Sequence, residues 1–287
     1  MNKRTQLGLI LLTICALLNL QFAAKRNSLE IGVCTSLSNA KLLQDNGCTY
    51  MEESVGGFLV PTEHDSVFEK KLQQAKSSGL QVYACNSFIP ATLKVTGPET
   101  KHKEILVFAD TAFRRAKKAG VAIIVFGSGG ARKIPDGFSK DSANQQFISL
   151  LKQMAPIAQK YGITVCIETL NKTETNFVNT ITEGLEIVKA VDHQNIMLLA
   201  DFYHIMKEGE SPDVIIKAGK YIKHCHIAEK EKRTPPGIEG DDFKPYFEAL
   251  KKINYKGKIS IECRWTKIEE ELPLAVKEMN KQMAEIE

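Results

Sequence analysis

The chain has 287 residues, of which 43% are hydrophobic and 25% are charged, and its formal net charge is +4. It is long enough for a large core and ordinary in composition. A charge excess this small gives no reason to expect a nucleic-acid or acidic-lipid partner.

The first residues have the order of a secretory signal. Lys3 and Arg4 precede an uncharged, mostly apolar run over residues 7–18, and the sequence turns polar at Lys25. The run is shorter than the roughly 20 residues that span a bilayer. We therefore expect residues 1–24 to be a signal peptide and residues 25–287 to form an exported, periplasmic protein without a membrane anchor. An uncleaved anchor or a buried helix is the alternative.

Removal of residues 1–24 would leave six cysteines without a Cys-x-x-Cys pair. They are Cys34, Cys48, Cys85, Cys166, Cys225 and Cys263. Most lie in apolar, strand-like runs, where a small buried thiol is the usual explanation. We predict core thiols rather than disulfides.

Short apolar segments rich in Ile and Val then alternate with amphipathic segments. The predicted strands are residues 29–34, 50–54, 80–86, 121–126, 163–169, 196–201, 221–227 and 258–263. Residues 101–119, 139–161 and 179–191 have apolar positions at helical spacing. Eight strands, each followed by a helical segment, predict an α/β fold of the (β/α)8 TIM barrel type in a single domain. A doubly wound sheet is the alternative, but no Gly-x-Gly-x-x-Gly follows the first strand.

Four successive strand-like segments of the C-terminal half each end in an acidic or imidazole side chain. These side chains are Glu168, Asp201, His226 and Glu262. The carboxyl ends of parallel barrel strands form one rim, so the four should meet there. Together they are a suitable ligand set for a hard divalent metal ion. The alternative is a rim neutralised by basic side chains, for which the candidates are Lys172, Arg233 and Arg264.

These segments closely resemble the sugar isomerase/epimerase family with a xylose isomerase-like TIM barrel, and most nearly its ketose 3-epimerases and hydroxypyruvate isomerases. A Glu-x-x-Asn-[Arg/Lys]-x-Glu motif matches residues 168–174, and Asp-x-x-His matches residues 201–204. A His-x-His-x-x-Glu motif matches residues 224–229, and the glutamate of the closing strand matches Glu262. Glu52 matches a second-strand glutamate of the family, but Glu53 beside it leaves the register open.

The resemblance implies that Glu168, Asp201, His226 and Glu262 bind Mn²⁺, with Co²⁺, Mg²⁺ or Zn²⁺ as alternatives. It also implies that Glu168 and Glu262 are the catalytic acid/base groups.

The resemblance further implies a set of substrate-binding residues. Glu174 and His204 would hold a carbohydrate. Family epimerases often carry an arginine six residues after the metal-binding histidine, where this chain has Lys232 followed by Arg233. Both basic residues are therefore candidate substrate ligands.

We accordingly expect a divalent-metal-dependent sugar isomerase/epimerase that acts on a keto sugar through an enediolate intermediate. A lyase or dehydratase of the same fold, for example one that cleaves 3-keto-glycosides, is the alternative. An endonuclease IV-type nuclease would need more histidines, because His64, His102 and His193 fall outside the strand ends. A non-catalytic sugar-binding protein would not need two opposed carboxylates around a metal. The expected partner is a small carbohydrate and not a nucleic acid. Formation of a homo-oligomer is also possible on this sequence.

Overall fold

A computed structural model of the protein describes residues 29–286. The predicted signal peptide lies outside these residues. Eight parallel strands close into one barrel in sequence order, and β1 pairs with β8 through partners such as Ile31 and Ile259. The strands are β1 Glu30–Cys34, β2 Tyr50–Ser54, β3 Val82–Asn86, β4 Ile123–Phe126, β5 Thr164–Glu168, β6 Ile196–Asp201, β7 Ile222–Ile227 and β8 Lys258–Ile261. The predicted (β/α)8 fold in a single domain is confirmed.

Helices follow the strands and cover the outside of the barrel. They are α1 Ala40–Asp45, α2 Asp65–Ser78, α3 His102–Ala119, α4 Gly129–Arg132, α5 Lys140–Tyr161, α6 Ile181–Val191, α7 Phe202–Lys207, α8 Asp213–Ala218, α9 Lys244–Lys252 and α10 Ile268–Ala284. Short helical turns span Leu37–Asn39, Val55–Leu59 and Gly219–Tyr221. In the described part of the chain, no helix is long and apolar enough to cross a membrane.

Local sequence sets the ends of the long helices. Gly79, Gly120 and Gly162 follow α2, α3 and α5 in the left-handed conformation, with φ values of 72°, 76° and 72°, which glycine adopts without strain. At the other end, the side chains of Ser139 and Thr180 accept hydrogen bonds from the first turns of α5 and α6. At these boundaries the helix ends and the chain turns back towards the next strand.

The last predicted strand is longer than the observed one. The β8 ladder ends at Ile261, although the Glu262 amide still donates to the Ile227 carbonyl at 3.1 Å. Glu262 therefore lies just beyond the strand, at the rim.

The cysteines are free thiols throughout the described residues, as predicted. Four of them are buried, namely Cys48, Cys85, Cys166 and Cys225.

Candidate active site

The structure brings the four predicted metal ligands together at the carboxyl rim of the barrel. One donor atom from each of Glu168, Asp201, His226 and Glu262 lies within 4.8 Å of the others. His226 Nδ1 is 3.2 Å from Glu168 Oε1 and 3.4 Å from Glu262 Oε2. Three of the four side chains are buried and Glu262 is partly exposed, so the cluster opens towards solvent on the side of β8.

Two local features fix the carboxylates of this cluster. Asp201 Oδ1 caps α7 by accepting from the Tyr203 amide at 2.8 Å, which holds the carboxylate in place. The buried Oδ2 has no hydrogen-bond partner among residues 29–286. Beside Glu168, a side chain on Gly127 would overlap with Oε2, so glycine is the residue that fits there. Gly127 thus belongs to a close-packed turn against the site.

The electrostatics of the protein groups alone are unfavourable. Burial raises the pKa of Asp201 to about 7, a shift that Arg233 only partly offsets. Burial and the charge of Glu262 raise the pKa of Glu168. Burial would also raise the pKa of Glu262, but the positive charge of His226 lowers it to about 2. Glu168 and Asp201 therefore resist ionisation beside the ionised Glu262, even with Arg233 and His226 close by.

The donor set fits a divalent metal ion. Three carboxylates and one imidazole are the ligands that hard and borderline divalent ions prefer. The Asp201 oxygen without a hydrogen bond and the raised pKa of two carboxyl groups are both features that a bound cation would remove.

Of the two basic candidates for substrate binding, the structure places Arg233 in the site and Lys232 outside it. The Arg233 guanidinium donates to Glu262 and, at 3.2 Å, to Glu174. It also lies 4.7 Å above the ring of Tyr203. The backbone of Arg233 is left-handed, with φ 58°. Lys232 is exposed and pairs with Glu239 at 2.7 Å.

The other two basic side chains of the neutralised-rim alternative do not enter the cluster. Lys172 pairs with Glu208 at 2.9 Å, and Arg264 is exposed. Among the described residues, Arg233 is thus the arginine or lysine that reaches these acids.

His204 is completely buried beside the cluster and is held as a hydrogen-bond donor. Its Nδ1 accepts from the backbone and side-chain nitrogens of Asn171 at 3.1 and 2.9 Å. Nε2 lies 3.5 Å from Asp201 Oδ2 and has no hydrogen-bond partner in the described part of the chain. Burial lowers the pKa of His204 to about 3, so the ring is neutral with its proton on Nε2. Glu174 joins this group, because its Oε1 accepts from Asn171 Nδ2 at 3.2 Å.

Two further side chains that the sequence did not single out contact the cluster. Asn86, at the end of β3, donates to Glu262 Oε1 at 3.0 Å, and Cys34, at the end of β1, lies 3.9 Å from His226 Nε2. Both are the last residues of their strands, so their position at a strand end was the signal in the sequence. Glu52 resolves the open register on β2: it is fully buried against His226, whereas Glu53 bonds the backbone of Leu37 and Ser54.

The remaining histidines lie away from this cluster. His64 caps α2, His102 bonds the Val95 carbonyl, and His193 accepts from the Asn195 amide. They are not placed to extend the cluster into a multi-zinc site of the nuclease type.

Comparison with known proteins identifies the family. Residues 40–284 match the family model for the xylose isomerase-like TIM barrel, and the chain belongs to this family.

Several relatives of the chain are sugar epimerases. The chain is 32% identical over 124 residues to D-psicose 3-epimerase of Ruminiclostridium cellulolyticum. This aligned segment covers 41% of this chain and 40% of the relative. The chain is 34% identical over 116 residues to L-ribulose 3-epimerase of a Methylomonas species, which covers 40% of each chain. The matching segments thus span about 40% of the length of these relatives.

A solved structure extends the similarity in fold over most of the chain. The Escherichia coli 3-keto-D-glucoside 4-epimerase superposes with a TM-score of 0.77 over 88% of this chain and 100% of that chain, at 18% identity. At this identity the match supports the shared barrel.

Proposed function

We propose that this chain is a divalent-metal-dependent epimerase that acts on a keto sugar or on the keto group of an oxidised glycoside. The observation that carries the proposal is the pair Glu168 and Glu262, which come from β5 and β8 and meet in one four-donor cluster. The epimerase relatives support the reaction class.

Epimerisation next to a carbonyl needs a proton to leave one face of a carbon and to return to the other. A bound divalent ion would stabilise the negative charge that develops on the substrate oxygens. Glu168 and Glu262 are the groups of this chain that would remove and return the proton.

The surrounding residues would orient the substrate and the two carboxylates. Asn86 and Arg233 hold Glu262 by hydrogen bonds, so its carboxylate has a defined direction. His204 would donate its free Nε2–H to a sugar oxygen. Arg233 and Glu174 lie at the outer edge, where they would bind further hydroxyl groups. We place Arg233, rather than Lys232, in the substrate-binding set.

Metal binding is tested first. We propose Mn²⁺ as the ion, held by Glu168, Asp201, His226 and Glu262, with Co²⁺, Mg²⁺ or Zn²⁺ as alternatives. Elemental analysis and chelator titration of the purified protein should give one ion per chain. Asp201→Ala and His226→Ala should each lose it, and retention of metal by both variants would refute the ligand set.

The type of reaction is tested by deuterium incorporation. The metal-loaded protein is incubated in D₂O with free ketoses and with 3-keto-glycosides, and the products are analysed by NMR. Deuterium at an inverted carbon next to the carbonyl is expected for epimerisation. Deuterium at a neighbouring carbon with a shifted carbonyl would mean isomerisation, and loss of the glycosidic substituent would mean a lyase. Absence of exchange in every substrate, with metal bound, would favour a binding protein.

We also propose that the protein is exported to the periplasm. The basic start and the apolar run over residues 7–18 support this location. N-terminal sequencing of the native protein should then give a start near Lys25. An intact Met1 in the soluble cytoplasmic fraction would refute export and would make sugar phosphates candidate substrates.

A further inference from the structure

A buried acid outside the four-donor cluster, Glu52, lies directly beneath the proposed metal site. Glu52 is 0% exposed, and its carboxylate contacts His226 Nε2 at 3.1 Å with both oxygens. Oε2 also lies 2.8 Å from both His224 Nε2 and Ser260 Oγ. Within residues 29–286, its charged partners are these two histidines, and neither lysine nor arginine pairs with it. A buried carboxylate is costly unless it is well hydrogen-bonded, and here three side chains donate to it.

His226 stands between the two groups of acids and presents one nitrogen to each. Nε2 faces Glu52, whereas Nδ1 lies 3.2 Å from Glu168 Oε1 and 3.4 Å from Glu262 Oε2. A neutral imidazole carries one proton, and the other nitrogen offers a lone pair. A proton on Nδ1 would be donated to Glu168 or Glu262 and would block metal binding. A proton on Nε2 would leave the Nδ1 lone pair directed at the cluster.

We propose that Glu52 is a positioning residue that holds the proton of His226 on Nε2 and thereby presents Nδ1 to the divalent ion. This inference rests on the proposed metal-dependent function. The carboxylate cannot donate when ionised, so of the two neutral forms of His226 it stabilises the one that carries its proton on Nε2.

The network below Glu52 keeps its carboxylate in this position. Ser260 Oγ donates to Glu52 and is itself 3.0 Å from the hydroxyl of Tyr50. His224 Nε2 donates to the same oxygen, Oε2, from β7, two residues before His226. Glu52 is thus fixed by β2, β7 and β8 together, and the direction of its bond to His226 follows from the barrel.

The first test measures Mn²⁺ affinity by isothermal titration calorimetry in the parent and three variants. Glu52→Met has a similar volume but accepts no strong hydrogen bond, and we expect its affinity to fall by about 10–100-fold. Glu52→Gln keeps one acceptor oxygen and should lose less. The matched control is Glu53→Gln, which changes the neighbouring glutamate on the other face of β2 and should bind as the parent does.

The two hypotheses can fail separately in this experiment. Absence of Mn²⁺ binding by the parent would refute both the proposed function and this inference. If the parent binds Mn²⁺ and a folded Glu52→Met variant binds equally well, only the positioning role of Glu52 is refuted. Folding of each variant is checked by thermal unfolding.

The second test needs no substitution at Glu52 and therefore decides the case if Glu52→Met does not fold. The parent is labelled with ¹⁵N-histidine and loaded with Zn²⁺, which is diamagnetic, and the ring nitrogens are observed by NMR. The His226 signals are assigned by their loss in His226→Gln. We expect a proton on Nε2 and a metal-bound Nδ1. A proton on Nδ1 with Nε2 bound to the metal would overturn the proposal.

Discussion

The interior of the barrel has two unlike halves. The half lined by β3 to β6 is apolar and contains Ala84, Ile123, Val125, Cys166 and Leu199. The half lined by β2, β7 and β8 is polar and contains Tyr50, Glu52, His224, His226 and Ser260, all of them buried. Both halves fill the same closed barrel, but they do so with different kinds of interaction.

The difference separates what the fold needs from what the site needs. The apolar half is explained by burial and packing alone. The buried polar groups of the other half lose their contacts with water, and apolar residues of similar volume would often give an equally stable protein. The hydrogen bonds of the polar half all lead towards Glu52 and His226, under the four-donor cluster. We infer that this half is kept for the site above it.

The largest expected effect follows from breaking the chemistry at the rim, where strands of both halves contribute to the four-donor cluster. Glu168→Gln and Glu262→Gln should each reduce proton exchange between substrate and solvent by about 10²–10⁴-fold, the usual cost of losing a placed general base. Exchange is measured by NMR in D₂O. Because both residues are also proposed ligands, rates are compared at metal occupancy matched to the parent. Full exchange in either variant would move the role to His204 or Glu174.

A substitution in the apolar half should instead lower the stability of the protein. Ile123→Ala removes a buried side chain from β4, a strand that supplies none of the four ligands. We expect the free energy of unfolding to fall by about 2–5 kcal/mol, through lost burial and the cavity left behind. Denaturant titration measures this change. Mn²⁺ affinity should remain within about two-fold of the parent, and a large loss of affinity would show that the halves are coupled.

The apolar half and the strand ends were the predictable parts of this molecule. Alternation of apolar strands and amphipathic helices is a local signal, and it predicted the barrel. The meeting of the four proposed ligands was predictable because a parallel barrel gathers its strand ends, whatever the sequence between them. The convergence of Glu168, Asp201, His226 and Glu262 follows from that rule.

The polar half was less predictable because it depends on backbone detail and on non-local contacts. Glu52 and Glu53 are chemically identical neighbours, and the pairing of β2 decides which one points inward. Arg233 reaches Glu262 and has a left-handed backbone, whereas Lys232, at the spacing that the resemblance implies, pairs with Glu239 outside the site. Neither feature has a signature in the sequence near it.

A smaller effect is expected in the loop above the polar half, which carries Arg233. The buried carboxylate of Glu229 accepts from the amides of Gly237 and Gly240 at 2.9 and 2.8 Å and from Thr234 Oγ1 at 2.8 Å. In Glu229→Gln, the amide nitrogen must face a donor, and such an unsatisfied group costs about 1–3 kcal/mol.

We expect this cost to appear as a displaced loop and a raised KM for the sugar, with Mn²⁺ affinity unchanged. Steady-state kinetics with the metal-loaded protein and a parallel calorimetric titration separate the two quantities. A lowered metal affinity with normal KM would contradict the assignment of this loop to substrate binding.

The smallest expected effect lies at the lower end of the polar half. The hydroxyl of Tyr50 contacts Ser260 Oγ at 3.0 Å, and its ring packs edge-on against Tyr83 with 5.4 Å between centroids. Tyr50→Phe keeps the ring and removes one buried hydrogen bond, worth about 0.5–1.5 kcal/mol of the free energy of unfolding. Ser260 still contacts Glu52, so the position of Glu52 should hold.

The matched control for Tyr50→Phe is Tyr83→Phe. Both rings lie under the ammonium of Lys258, at 5.0 and 4.8 Å, and both variants preserve that contact. Within residues 29–286, the Tyr83 hydroxyl makes no side-chain hydrogen bond, so its loss should change unfolding less than the loss at Tyr50. Mn²⁺ affinity should stay at the parent value in both, because two residues, Ser260 and Glu52, separate Tyr50 from His226. A fall in affinity confined to Tyr50→Phe would mean that the whole polar half, down to the floor of the barrel, sets the position of His226.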